Sequence, residues 1–132
     1  MSVVPTPLTR HSDARGHLVA VSAGVEVPFS IRRVFWIYGN TAGLTRASHA
    51  SSATTEMLVS VAGSCRASID GPSGTSRVAL DRPDASLLIP PMTWLELSDF
   101  TADCVLLVLA DTDYDPADTI REHDRFRALT AR

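Results

Sequence analysis

A histidine and a carboxylate, His49 and Glu56, lie in a segment whose spacing is close to a known metal-binding pattern. The segment reads GLTRASHASSATTEMLVSVAG and runs from Gly43 to Gly63. Alternate side chains of a strand point to the same face, so the pattern requires a second histidine two positions after the first. This sequence has Ser51 there. One imidazole and one carboxylate are therefore retained, and a hydroxyl stands in place of the paired imidazole.

The retained residues do not predict a tightly bound metal ion. The fourth ligand of the pattern comes from a later strand, and in the segment PMTWLELSD its position falls on Leu95. Two ligands of four, with a leucine beside them, make a poor site for a divalent transition metal. We therefore expect no metal and no other cofactor, and we interpret the spacing as a signal of fold.

Proton transfer is the chemistry that the two retained residues suit. A histidine titrates near neutrality, so His49 can act as a base, and Glu56 adds a carboxylate that can do the same. Simpler interpretations remain open for both residues. His49 can serve only to hydrogen-bond a ligand, and Glu56 can be paired with an arginine in the interior.

Short strands separated by turn residues make up most of the chain. The strand-like segments are HLVAVSAG, SIRRVFWIYGN, EMLVSVAGSCRASIDG, SRVALDRPDASLLIPP, WLELSDF and CVLLVLAD. Many short, evenly spaced strands predict an all-β sandwich or barrel. Only the tail DPADTIREHDRFRALTAR has helical features, because Asp115 can cap, Pro116 suits a first turn, and Ile120, Phe126 and Leu129 recur at roughly helical spacing.

Composition indicates one ordinary globular domain, residues 1–132. The net charge is −3, which does not attract nucleic acid in bulk. No apolar run is long enough to cross a membrane and no signal peptide is recognisable, so we expect a cytoplasmic protein. Cys65 and Cys104 are expected to be reduced and partly buried, although their pairing is left open.

Four long segments carry a resemblance to a known family. They are ARGHLVAV, VPFSIRRVFWIYG, VAGSCRASIDG and LLIPPMTWLELSDFTADCVLLVLADTDYDPADTIREHDRF, in this order. Together they resemble the nucleotide-sugar 3,4-ketoisomerases, a metal-independent branch of the cupins. The resemblance implies a double-stranded β-helix, or jelly-roll cupin barrel, with a short C-terminal helix.

The resemblance also implies a reaction. The family's substrate is a dTDP-linked 4-keto-6-deoxyhexose, and its ketone moves from C4 to C3 through an enediol, on the way to unusual sugars for surface glycans or natural products. Such a reaction needs a base near neutrality, donors for the enediolate oxygens and cations for the pyrophosphate. By the same resemblance, His49 falls on the base, while Arg46 and Arg15 fall on positions that contact the phosphates, the sugar or the pocket wall.

Three positions depart from the family's pattern. Ser51 replaces a histidine, Phe35 replaces a tyrosine that can relay a proton, and Leu95 replaces a histidine or arginine that helps decide which face of the sugar is reprotonated. All three changes remove donors from the expected pocket. His17 and Glu56 are candidates to compensate, although a histidine near a strand start is commonly only solvated.

Further residues are candidates for binding the substrate. Arg32 and Arg33 alternate along one strand, so only one of them faces the interior, and we assign Arg33 to it. Trp94 is assigned to the pocket wall together with Phe35, although both aromatic rings can equally be core residues.

Three functions are compatible with these residues. The first is a sugar 3,4-ketoisomerase with a rearranged proton relay. The second is a repurposed cupin enzyme that uses His49 for an elimination or cyclisation of a natural-product intermediate. The third is a non-catalytic ligand-binding homologue.

A homodimer is the expected assembly. The first strand region, around residues 18–21, is separated from the rest by Gly24 and Pro28, so it can reach a partner's sheet and cover an exposed edge. The resemblance likewise implies N-terminal strands that cross between subunits. Neither nucleic acid nor a membrane is expected as a partner.

Overall fold

Two five-stranded antiparallel sheets face each other in the computed structural model, which describes residues 3–71 and 74–131. The strands are β1 (Thr6–Pro7), β2 (Arg10–Asp13), β3 (Gly16–Val19), β4 (Arg33–Tyr38), β5 (Arg46–Ser51), β6 (Glu56–Ala62), β7 (Cys65–Gly71), β8 (Gly74–Leu80), β9 (Ala85–Ile89), β10 (Trp94–Ser98), β11 (Val105–Ala110) and β12 (Thr119–Ile120). One sheet has the order β1-β9-β6-β11-β4, and the other has the order β12-β5-β10-β7-β8. The prediction of an all-β, double-sheet fold is confirmed.

The core lies between the two sheets and follows the alternation of the strands. Its main cluster contains Leu58, Ile69, Leu87, Leu97 and Leu106, which come from β6, β7, β9, β10 and β11. Burial of such apolar side chains supplies most of the stabilising free energy of a fold of this size. The second sheet ends in a small separate cluster under the C-terminal helix.

The closing glycine of the sequence motif occupies a position that only glycine fits. Gly63 lies in the turn between β6 and β7 with a φ of 60°. A Cβ atom at this residue would overlap the side chains of Thr101 and Asp103 and the amide of Cys104. The motif therefore ends at a glycine because the backbone turns there against a neighbouring loop.

The C-terminal helix is shorter than the sequence predicts. The predicted helical tail begins instead with a 3₁₀ turn (Pro116–Asp118), continues as β12, and only then forms α1 (His123–Leu129). Asp115 caps the 3₁₀ turn by accepting a hydrogen bond from the amide of Ala117. Ile120 is buried as a strand residue paired with Ala50, so its apolar character reflects sheet pairing rather than a helix face.

The side chain of Asp118 fastens this tail to the loop between β5 and β6. It accepts hydrogen bonds from the hydroxyls of Ser52 and Thr54 and from the amide of Ala53. Although burial raises its pKa, these hydrogen bonds together hold the pKa of Asp118 below its ordinary value. The carboxylate form is therefore the one that fits this loop.

Helix α1 packs through one aromatic side chain and two polar contacts to one carboxylate. Phe126 is 1% exposed and its ring centre lies 5.7 Å from that of Trp94. His123 and Arg127, on the same helix, both contact Oδ2 of Asp70 on β7, at 3.3 and 3.1 Å. These contacts fasten the helix to the second sheet.

The hairpin of β2 and β3 stands apart from both main sheets. Its two strands pair only with each other in the described part of the chain, and seven of their eight residues are exposed.

Strand β4 forms an edge of the first five-stranded sheet, where it pairs with β11 alone among the described strands. Its outward side chains Val34, Trp36 and Tyr38 are all exposed.

Cys65 and Cys104 are free, buried thiols. Burial, with the neighbouring Cys104, raises the pKa of the Cys65 thiol to about 12, so it remains protonated.

Of the helices formed by residues 3–71 and 74–131, none has the length and apolar character needed to cross a membrane.

Replacing Phe126 by alanine is expected to lower the free energy of unfolding by about 3–5 kcal/mol, because it empties the contact between α1 and Trp94. Urea unfolding followed by fluorescence measures the change. Leu129→Ala on the same helix is the matched control, since Leu129 is 56% exposed and its truncation should change stability by less than about 0.5 kcal/mol. Equal effects of the two substitutions would show that Phe126 does not anchor the helix.

Candidate active site

A cavity of about 350 Å³ opens between the two sheets near the start of β6. Its polar lining comes from Arg46 and His49 on β5 and from Glu56 on β6. Its apolar lining includes Phe35, Ile37, Leu58, Leu95, Leu97 and Val108. We call this space the main cavity. Few polar groups in a largely apolar hollow are the usual features of a small-molecule site.

A second, smaller cavity of about 180 Å³ adjoins the first. Phe35, His49 and Glu56 line both of them. The other walls of this side cavity include Arg33, Ser51, Tyr114, Asp118 and Arg121. His49 and Glu56 therefore stand where an apolar space meets a polar one.

The imidazole of His49 is oriented by its own strand. Its Nδ1 lies 3.0 Å from the carbonyl oxygen of Ala47. A carbonyl oxygen only accepts hydrogen bonds, so Nδ1 is the nitrogen that carries the proton in the neutral ring. The lone pair is then on Nε2. This tautomer leaves His49 ready to accept a proton at Nε2.

An irregular backbone precedes His49. Ala47 and Ser48 both have positive φ, 70° and 50°, which is uncommon for residues with a side chain. The register between β5 and β10 shifts at the same place, where Leu95 pairs with His49 and Glu96 pairs with Ala47. A β-bulge of this kind redirects the side chains that follow it. The bulge therefore sets the position of His49 relative to β10.

Glu56 is a buried carboxyl group, only 8% exposed. Burial raises its pKa above the ordinary value, and the nearby charges of His49 and Arg33 partly offset that effect. A carboxyl group in this environment holds its proton to a higher pH than an exposed one. Glu56 can therefore exchange a proton closer to neutrality.

Arg33 is held by two aromatic rings. Its Cζ lies 5.5 Å from the ring centre of Phe35 and 5.7 Å from that of Tyr114. Its Nε atom is buried and has no hydrogen-bond partner among the described residues. Buried donors are nearly always satisfied in proteins. Because Arg33 also lines the side cavity, its guanidinium is a candidate donor to a ligand there.

The residues around His49 do not fit a metal ion. Leu95 is paired directly with His49, so an alkyl side chain occupies the expected position of another ligand. Ser51 lines the side cavity as a neutral hydroxyl. Within residues 3–71 and 74–131, no three histidine, cysteine, aspartate or glutamate side chains converge as a metal-binding group.

Seven of the ten predicted site residues line the two cavities. They are Arg33, Phe35, Arg46, His49, Ser51, Glu56 and Leu95. The structure brings these seven residues together, and the role of each stays a prediction.

Trp94 requires a correction. It precedes Leu95 on β10 and therefore points to the opposite face of the strand. There it packs against Phe126 and His123 and donates a hydrogen bond from Nε1 to Glu96 at 3.3 Å. Its ring supports α1 rather than the wall of the main cavity.

Arg15 and His17 lie on the β2–β3 hairpin, away from both cavities of the same chain. The guanidinium of Arg15 pairs with Asp13 at 2.6 Å, and Nδ1 of His17 lies 2.7 Å from the Ser12 hydroxyl. Both residues are exposed. They can join a site containing His49 only through another copy of the chain or through a movement of the hairpin.

Tyr114 and Arg121 were not among the predicted site residues. Both follow β11, in the tail that the sequence suggests is helical, and the structure brings both to the side cavity. A local pattern gives no indication of this, because the approach depends on how the whole tail folds back over β5. The signal in the sequence is that both residues lie in the last of the four segments that resemble the family.

Comparison with protein families gives a match over nearly the whole chain. Residues 2–131 match the family described as FdtA: WxcM-like, C-terminal. A curated relative, TDP-4-oxo-6-deoxy-alpha-D-glucose-3,4-oxoisomerase from Aneurinibacillus thermoaerophilus, is 38% identical over 120 residues. The matched region covers 91% of this chain and 86% of that enzyme.

Solved structures of similar proteins have the same fold. QdtA, a sugar 3,4-ketoisomerase from Thermoanaerobacterium thermosaccharolyticum crystallised with TDP, aligns with a TM-score of 0.91 and 32% identity, covering 95% of this chain and 91% of QdtA. WlaRB, a TDP-quinovose 3,4-ketoisomerase from Campylobacter jejuni, aligns with a TM-score of 0.88 and 34% identity, covering 92% and 94% of the two chains. The predicted jelly-roll barrel is thus confirmed.

Glu56→Gln is expected to stabilise the fold more at about pH 8 than at about pH 4. The pKa of Glu56 is raised in the folded state, so its contribution to the free energy of unfolding is fully present below pH 4.5, the ordinary pKa of the group. This contribution is lost as the pH rises through the folded-state pKa. Glutamine mimics the protonated form at every pH. Urea unfolding of both proteins across this range measures the difference.

The exposed Glu122→Gln substitution is the control, because Glu122 lies at the surface and its replacement should show no such trend. A Glu56→Gln advantage that stays constant or shrinks with rising pH would contradict the raised pKa.

Proposed function

We propose, because the chain belongs to the FdtA (WxcM-like, C-terminal) family, that it is a 3,4-ketoisomerase of a TDP-linked 4-keto-6-deoxyhexose. The protein transfers a proton within the sugar and so moves the ketone from C4 to C3. The single observation that carries this proposal is the position of His49, which lines one cavity with Arg33 and Glu56 while its Nδ1 is bonded to the carbonyl oxygen of Ala47. The enzymes it resembles are named for this reaction.

The two other functions considered from the sequence receive no support. The apolar side chains Phe35 and Leu95 would suit a less polar ligand in a repurposed enzyme, yet the relatives at 30–38% identity are named as sugar ketoisomerases or oxoisomerases. A non-catalytic homologue would need no base beside its ligand. Arg33, His49 and Glu56 nevertheless remain together around one space.

His49 acts as the base. Its Nε2 removes the proton from C3, the electrons of the C3–H bond form a C3=C4 double bond, and the C4 carbonyl oxygen becomes an enediolate oxygen. The proton of the C3 hydroxyl then passes to the C4 oxygen, C3 becomes the carbonyl as the double-bond electrons move to C4, and the imidazolium protonates C4. A neutral imidazole with a fixed Nδ1–H bond to Ala47 suits both steps, because the same nitrogen accepts and returns the proton.

Arg33 stabilises the negative oxygen formed between these steps. Its Nε is buried and has no hydrogen-bond partner in the part of the chain that the structure describes, and the rings of Phe35 and Tyr114 hold the guanidinium without neutralising it. A fixed cation that faces the developing charge lowers the barrier most effectively when it needs no rearrangement. Arg33 therefore takes over part of the donor function that a histidine or arginine at position 95 would supply.

Other residues divide between binding and proton storage. Arg46 is exposed at the mouth of the main cavity, where a guanidinium suits the diphosphate. Glu56, buried beside His49, holds a proton near the base and exchanges it with the imidazole as the ring changes charge. Ser51 offers a hydroxyl to the sugar, while Phe35 and Leu95 shape the space without donating.

His49→Ala is expected to reduce turnover of TDP-4-keto-6-deoxyglucose by about a hundred- to ten-thousand-fold while leaving TDP binding nearly unchanged. Product formation measured by NMR and TDP affinity measured by calorimetry separate the two effects. His123→Ala is the control, since that imidazole lies on the outer face of the second sheet. Full turnover by His49→Ala would remove His49 from the mechanism.

We propose that two copies of the chain form the active unit and exchange their N-terminal hairpins. Three observations support this: the β2–β3 hairpin has no partner sheet among the described strands, β4 has a free edge, and Trp36 on β4 is 59% exposed. A hairpin laid against the partner's β4 would cover both the free edge and the apolar side chains. Such an arrangement would carry Arg15 and His17 toward the other subunit's His49.

Trp36→Glu is expected to convert the dimer to a monomer, because it places a charge in the proposed interface. Light scattering coupled to gel filtration measures the mass. Val25→Glu is the matched control, since Val25 is an exposed apolar residue of a loop, at 73% exposure. A wild-type protein that is already monomeric at micromolar concentration would contradict the dimer.

Exchange of hairpins has its own test, which mixes two inactive variants. His49→Ala is co-expressed with whichever of Arg15→Ala and His17→Ala loses more activity. If hairpins cross, the mixed dimer rebuilds one complete site and about a quarter of the wild-type activity returns. If each hairpin serves its own subunit, no activity returns.

We also propose that the chain is a single cupin domain working in the cytoplasm. The buried, unbonded thiols of Cys65 and Cys104 support a reducing compartment. The two sheets enclose one principal hydrophobic cluster, which supports one domain.

A further inference from the structure

Tyr114 brings a phenol into the side cavity from outside the barrel strands. It follows β11, and its ring centre lies 5.7 Å from the Cζ atom of Arg33. His49 and Ser51 line the same cavity. The same Cζ atom of Arg33 lies 5.5 Å from the ring centre of Phe35. The two aromatic side chains therefore contact one cation, and only one of them has a hydroxyl.

The backbone around Tyr114 is fastened on both sides. Just before it, the carboxylate of Asp113 pairs with Arg32 at 3.0 Å. Just after it, Asp115 caps the 3₁₀ turn, and Asp118 bonds to the loop that follows β5. A side chain between two such attachments keeps its position relative to the cavity better than one on a free loop.

The proposed reaction requires a group that both donates and accepts a proton at the sugar oxygens. Phe35 and Leu95 cannot do this, and a guanidinium donates hydrogen bonds without releasing its proton. A serine hydroxyl loses its proton far less readily than a phenol does. Among the hydroxyl-bearing side chains of the side cavity, Tyr114 is therefore the one with the chemistry of a proton relay.

We propose that Tyr114 is the proton relay of the isomerisation and replaces the phenol that position 35 lacks; this inference rests on the function proposed above. As His49 takes the proton from C3, the Tyr114 hydroxyl gives its proton to the C4 oxygen, which becomes a hydroxyl. The phenolate then takes the proton of the C3 hydroxyl, C3 becomes the carbonyl, and the imidazolium of His49 protonates C4. Both side chains end in their starting forms, and no other reactant is consumed.

The guanidinium of Arg33 has a defined part in this relay. While the phenol is ionised, the cation beside its ring balances the negative charge. The same contact keeps the ring next to the cavity. Arg33 thus supports Tyr114 as well as the sugar oxygen.

Tyr114→Phe tests the proposal, because it removes one oxygen and keeps the ring that holds Arg33. We expect kcat for TDP-4-keto-6-deoxyglucose to fall about a hundredfold or more, with KM and TDP affinity changed less than about threefold. Phe35→Tyr, added to Tyr114→Phe, returns a phenol on the other aromatic ring that contacts the guanidinium and lines the side cavity. We expect the double variant to regain at least about tenfold in kcat over Tyr114→Phe.

Each outcome distinguishes this inference from the proposed function. A wild-type chain that binds TDP but turns over no keto sugar defeats the proposed function, and the inference falls with it. Wild-type turnover that Tyr114→Phe leaves intact defeats the inference alone. If Tyr114→Phe raises KM and leaves kcat unchanged, the ring only positions Arg33 and the relay is overturned. The relay is also overturned if Phe35→Tyr does not restore kcat to the Tyr114→Phe variant.

Discussion

The pairing of β5 with β10 is the constraint on which the site depends. Its irregular register redirects the backbone at Ala47 and Ser48, and this places His49 opposite Leu95 with Nδ1 against a carbonyl oxygen. The other edge of β5 pairs with β12 and so carries the C-terminal tail past the cavity. Strand β5 therefore positions His49 directly, and it positions the tail through its pairing with β12. Backbone strain of this kind persists where the surrounding sheet fixes it.

The burial of titratable and charged side chains determines what chemistry this geometry can perform. Glu56 is enclosed beside His49 and Arg33, and the guanidinium is held by aromatic rings rather than by a carboxylate at contact distance. Each group in an enclosed space affects the protonation of its neighbours more strongly than it would in water. Ser51 and Leu95 stand where the family's pattern predicts imidazole or guanidinium groups. The proposed function therefore depends on the groups that remain around the two cavities, Arg33, His49 and Glu56.

The sequence predicted the barrel and the position of His49 because both depend on local patterns, namely alternating strands and the spacing from Gly43 to Gly63. It did not predict which face of β10 carries the Trp94 side chain, since that depends on where β10 begins relative to the core. Nor did it find Tyr114: the tail was assigned to a helix, whereas Asp118 and Ile120 fasten it to β5 through contacts more than sixty residues apart in sequence. The assignment of Arg15 and His17 to the site stays a prediction, and it requires a second subunit.

The most direct test of the central claim follows the fate of one hydrogen. TDP-4-keto-6-deoxyglucose is incubated with the protein in deuterated water and the product is observed by proton NMR. The account predicts a 3-keto sugar that carries deuterium at C4, because the proton held at Nε2 of His49 exchanges with solvent before it is returned. A folded protein that binds TDP yet forms no 3-keto product would contradict the account. A His49→Ala variant that forms the 3-keto product at the wild-type rate, with hydrogen instead of deuterium at C4, would also contradict the account.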